Sequence, residues 1–156
     1  MPPLFTIGYE QTTVRAVMDE LARAEVDLVV DVRAVAASRR PGFSKRQLAA
    51  ALDEGGIGCL HLQKLGTPKE GRLAARAGRL EALFRIYETH LATVEAREEL
   101  DDLAELLRSG RRVCLLCYER DPGHCHRKRV AALMAERTGV VVQDLIAAPS
   151  AGMAGG

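Results

Sequence analysis

The chain contains no tryptophan, only three tyrosines and three phenylalanines, and an aromatic share of 4%. Stacking platforms for single-stranded nucleic acid are therefore few: Tyr9, Phe43 and Tyr118 are the candidates. Charge of one sign is lacking as well, since the net charge is +1 over 156 residues. That balance argues against a general, histone-like binder of nucleic acid. No charged leader with an apolar core opens the sequence, and no apolar run approaches membrane-spanning length. With four cysteines and no secretory signal, we expect a reducing cytoplasmic setting, free thiols at rest and no disulfide scaffold. Neither a GxGxxG fingerprint nor a Walker lysine loop is present, so a standard dinucleotide or Mg-nucleotide pocket is not supported.

Short apolar runs alternating with amphipathic stretches are what the chain does contain. Leu4–Ile7, Asp27–Arg33, Ile57–Leu62, Val113–Cys117 and Val140–Ile146 read as strands. Their near-continuous hydrophobicity suits parallel strands buried on both faces. Helical stripes lie between them, one through Val14, Val17, Met18, Leu21 and Ala22 and another from Ser44 to Leu52. Two more run over about 80–91 and 93–108, and a last one starts at Cys125. The expected architecture is a single α/β domain over 1–146, a Rossmann-like three-layer fold. Its mostly parallel five-stranded sheet is flanked by helices, with strand order 3-2-1-4-5. Residues 147–156 are expected to fray, and 64–79 to form a long mobile loop.

One stretch gathers most of the reactive chemistry: Cys117-Tyr-Glu-Arg-Asp-Pro-Gly-His-Cys-His-Arg127. It joins a strand to a helix through an Asp-Pro-Gly turn, and ligands bind at such junctions in open α/β sheets. Arg33, Arg39 and Arg127, with the Ser38 hydroxyl and a helix N-terminus, read as an anion site. The competing reading pairs Arg33 with Asp31 or Glu119 and leaves it structural. Cys125 sits among His124, His126, Arg127 and Lys128, a setting that favours thiolate and greatest sensitivity to oxidation. Glu119 is the candidate general acid or base, and Cys117 a second candidate nucleophile. The arginine of a low-molecular-weight phosphatase is missing, because Gly123 and Ala131 stand six residues after the two cysteines. Zinc sites usually show two ligand pairs. Only one cluster exists here, and adjacent Cys125 and His126 do not easily share an ion, so we expect neither metal nor cofactor. Cys59 and Cys114, inside strands, are expected in the core.

Thr6-Ile-Gly-Tyr9, Val30-Asp-Val-Arg33, Ser38-Arg39, Phe43, and His61 leading to Leu65-Gly66 are collinear with Leu115-Leu-Cys-Tyr-Glu119 and Cys125-His-Arg127. As a set they resemble the domain-of-unknown-function 488 family. The resemblance implies a small cytoplasmic α/β domain with no established activity. On these grounds we expect a small enzyme binding an anionic, phosphate-bearing substrate at the strand ends. Glu119, Cys125 and Cys117 would be catalytic, and Gly8, Tyr9, Arg33, Ser38, Arg39, His61, His126 and Arg127 would bind substrate. The alternative is a non-catalytic nucleic-acid accessory module. Lys45, Arg46, Lys64, Lys69, Arg72, Arg76 and Arg79 would extend its basic surface.

Overall fold

The computed structural model describes residues 1–150. Strands β1 (Leu4–Gly8), β2 (Leu28–Asp31), β3 (Gly58–His61), β4 (Val113–Cys117) and β5 (Val142–Leu145) form one sheet in which every neighbouring pair is parallel. Helices α1 (Val14–Arg23), α2 (Lys45–Glu54), α3 (Lys69–Arg76), α4 (Leu80–Leu91), α5 (Val94–Arg108) and α6 (His126–Thr138) connect them. Strands β1 and β4 are buried along their whole length, so both faces must be covered. On one face, Phe5, Ile7 and Val29 meet Val17 and Leu21 of α1 and Leu48 and Leu52 of α2. On the other, Leu4, Val30 and Leu115 meet Leu100, Leu103 and Leu107 of α5 and Val130 and Met134 of α6. Side chains alternate between faces along a strand, which is why neighbouring residues serve different cores. The expected three-layer α/β fold is the one observed. None of the described helices is long and apolar enough to cross a membrane.

The strand order is β3-β2-β4-β1-β5 rather than 3-2-1-4-5. Strand β4 inserts between β2 and β1, because the apolar pattern makes any of these strands acceptable in the middle of the sheet. The pairing of β1 with β4 survives this correction, with Gly8 opposite Cys117. It also continues past the strands: Tyr9 N–H donates to Cys117 O at 3.3 Å and Glu10 N–H to Tyr118 O at 2.8 Å. The two loops are therefore zipped together rather than facing across an open cleft. Gly8 makes this possible, since a Cβ there would lie 1.7 Å from the Glu119 carbonyl oxygen.

Two further expectations are corrected, and the start of the C-terminal segment can be placed. The span 64–79 is not a structureless loop: a 3-10 turn at Gln63–Leu65 precedes α3, which packs on α4. Gly71 sits in the first turn of α3, where a Cβ would come within 2.6 Å of Thr67 Cγ2, so close packing overrides its poor helix propensity. Residues 147–150 are tied down, with Ala147 buried and Ser150 N–H donating to Gln11 O at 2.8 Å; 151–156 lie outside the described residues. Cys59 is exposed because β3 is an edge strand, whereas Cys114 in β4 is buried as expected.

Candidate functional site

Asp31 and Arg33 are two residues apart at the end of β2, so their side chains leave the chain on the same side. Both are buried, and they form a two-pronged pair, Arg33 Nε to Asp31 Oδ1 at 2.8 Å and Nη2 to Oδ2 at 2.7 Å. Nη1 donates to Phe43 O at 2.6 Å and to the Tyr9 hydroxyl at 3.2 Å. Tyr9 in turn stacks on Phe43, with ring centroids 4.4 Å apart. Of the five N–H groups on a guanidinium, only one of the two on Nη2 is left over. Burial works against the Arg33 charge, but Asp31 outweighs it and raises the pKa above its ordinary value. The geometry is that of the structural reading of Arg33.

Arg127, in the first turn of α6, is fully buried. Nη1 donates to Cys117 Sγ at 3.1 Å and to the Glu119 carbonyl, and Nη2 to the Arg120 carbonyl at 3.2 Å. The guanidinium thus holds the loop that leaves β4, while its Nε has no hydrogen-bond partner in the structure. Desolvation lowers its pKa, and Asp144 and other acids nearby oppose that shift. Arg33 and Arg127, two of the three arginines expected to cradle an anion, are engaged within the protein. Arg39 is exposed, and Ser38 Oγ accepts from Arg40 N–H at 3.2 Å.

Two imidazoles cap the end of β2. His126 Nε2 lies 2.8 Å from Val32 O, and His61 Nε2 2.7 Å from Arg33 O. A carbonyl oxygen only accepts, so each ring donates from Nε2, and a neutral His126 then presents its lone pair at Nδ1. His126 Nδ1 lies 3.9 Å from Cys125 Sγ. Burial pushes the His126 pKa below its ordinary value; the Val32 carbonyl opposes this and Arg127 reinforces it.

The turn begun by Asp121, whose Oδ1 accepts from Gly123 N–H at 2.8 Å, folds the chain back. Cys125 is thereby laid on Cys117, and the structure joins the two sulfurs in a disulfide. The eight-residue separation closes through this turn, with the two Cα atoms 7.6 Å apart. Glu119 Oε2 lies 3.6 Å from Cys117 Sγ, at the same end of the sheet. Cys117, Cys125, His126, Arg127 and Glu119 thus form one cluster at the ends of β4 and α6. The His124 side chain lies outside what is described. Sequence reasoning passed over the Val32 and Phe43 carbonyls, which orient His126 and Arg33; main-chain acceptors carry no residue-type signal.

A family model, the domain of unknown function DUF488, matches residues 13–134. The chain belongs to the DUF488 family. The matched span contains Arg33, Cys117, Glu119, Cys125, His126 and Arg127, so the cluster is part of the DUF488 domain itself. Gly8 and Tyr9 precede the match. No curated protein and no solved structure gave a match.

Proposed function

We propose that this DUF488 domain is a thiol enzyme that reduces a small disulfide through the Cys117–Cys125 pair. The observation that carries the reading is the meeting of the two sulfurs, with Arg127 against one and His126 against the other. Cys125 is the attacking group: it is the more accessible of the two, stands at the N-cap of α6 and faces an imidazole. Such surroundings favour thiolate. Its sulfur attacks the substrate disulfide, forms a mixed disulfide and expels one substrate thiolate. Cys117 Sγ then attacks Cys125 Sγ, giving up its proton to the Glu119 carboxylate and releasing the second substrate thiolate. The substrate gains two electrons and the cysteine pair loses two. Two equivalents of an external thiol restore the dithiol by the reverse exchange and leave as their own disulfide.

An anionic substrate would meet Arg39, which is exposed, rather than Arg33 or Arg127. The test uses pre-reduced protein and oxidised glutathione, with released thiol followed over time. Wild type should release thiol, Cys125→Ser should release none, and Cys117→Ser should stop at a mixed disulfide. Release by Cys125→Ser at the wild-type rate would sink the proposal.

A further inference from the structure

In its reduced form the same cluster has the composition of a metal site. We infer that the dithiol state binds one zinc ion through Cys117 Sγ, Cys125 Sγ and His126 Nδ1. This deepens the thiol reading and rests on it to the extent that the pair must exist as thiolates.

Three observations carry it. The three ligand atoms lie within 4.8 Å of one another, at a site where both cysteines are buried and His126 is partly exposed. Adjacency does not keep Cys125 and His126 apart, as the sequence reading supposed. Cys125 is extended, with φ −124° and ψ 143°, and His126 begins the helix, so the break in backbone direction turns both side chains inward. Second, His126 Nε2 is fixed on the Val32 carbonyl at 2.8 Å, which leaves Nδ1 aimed at the sulfurs. Metal-ligating imidazoles are held in this way, with the outer nitrogen on a carbonyl or carboxylate. Third, the Cα atoms of Cys117 and Cys125 stand 7.6 Å apart, wider than the roughly 4.4–6.8 Å usual for a disulfide. Two thiolates each about 2.3 Å from one tetrahedral zinc have sulfurs farther apart than bonded ones, and the backbone already provides that room.

Charge and softness select the ion. Two thiolates and a neutral imidazole neutralise a divalent cation, and sulfur donors favour zinc over magnesium or calcium. Arg127 Nη1, 3.1 Å from Cys117 Sγ, would donate to a bound thiolate. Three protein ligands leave a fourth position open, the pattern of reactive rather than purely structural zinc, with Glu119 beside it. Oxidation of the pair to the disulfide removes both sulfur ligands, so metal and disulfide exclude each other.

The experiment titrates cobalt(II) into the reduced, metal-free full chain without oxygen. One equivalent should bring up sulfur-to-cobalt charge-transfer absorption, which one equivalent of zinc abolishes and oxidised glutathione releases. His126→Asn should weaken binding by more than the roughly 10–100-fold that loss of an outer partner costs. Cys59→Ser, outside the cluster, should bind like wild type. Reduced wild type that shows no such absorption overturns the inference without recourse to any variant. Wild type that exchanges thiols but binds no cobalt overturns this inference alone. Wild type that binds cobalt through sulfur but exchanges no thiols overturns the redox reading and leaves the metal site standing.

Discussion

Replacing Asp31 with asparagine keeps the shape of the side chain and removes its charge, which isolates what the carboxylate does. Both charges of the Asp31–Arg33 pair are buried, at 1% and 5% exposure. The guanidinium would keep its bonds to Phe43 O and Tyr9 and one to the amide oxygen, but lose the other bond and the carboxylate charge. Breaking a buried pair from one side typically costs about 3–5 kcal/mol, because the surviving charge stays desolvated. For a chain of this size, each kcal/mol corresponds to roughly 2–4 °C in melting temperature. We expect Asp31→Asn to lie at the lower end, since the amide oxygen still accepts one bond, with a loss of about 3 kcal/mol in urea unfolding. The double replacement Asp31→Leu with Arg33→Met should recover most of that loss, as removing both members of a buried pair is often close to neutral. If Asp31→Asn costs under about 1 kcal/mol, the value of an exposed pair, the structural role assigned to Arg33 is wrong.

Two smaller perturbations test the frame around the site. Gly8→Ala must push the β1 and β4 loops apart, because the new methyl would meet the Glu119 carbonyl. Losing the two loop hydrogen bonds, together with the strain, should cost about 2–4 kcal/mol. Urea unfolding of a soluble Gly8→Ala protein, together with its rate of thiol release, checks this, and wild-type values for both would refute it. At the opposite end of the sheet, burial pulls the Asp27 carboxyl up, but Arg111 and the Arg112 N–H outweigh it and hold its pKa below 3.8. A depressed acid stabilises the fold above its unfolded value, and that gain is lost as pH falls through the folded value. The pair is nearly half exposed, so Asp27→Asn should cost no more than about 1 kcal/mol at neutral pH. The gap from wild type should begin to narrow below pH 3.8 and close once pH is below the folded value; a gap that does not narrow on acidification would refute the assignment.

Some of this protein could be read from residue order alone. Continuous apolar strands separated by amphipathic helices point to a parallel sheet covered on both faces, as β1, β2 and β4 are. The Asp-Pro-Gly turn between Cys117 and Cys125 located the reactive junction, because turn chemistry is local. The Asp31–Arg33 pair was legible too, as one of two readings of Arg33, from an i, i+2 spacing that places both side chains on one face. Tertiary structure alone decided the rest. Apolar strands are interchangeable by pattern, so only packing could place β4 between β2 and β1. Packing on α4 turned 69–76 into a helix despite Gly71. The fate of the arginines depended on which main-chain carbonyls came within reach, and the 94-residue span from Val32 to His126 exists only in the folded chain. Ligand geometry at Cys117, Cys125 and His126 likewise follows from the backbone break that opens α6, a break that a list of neighbouring residues does not contain.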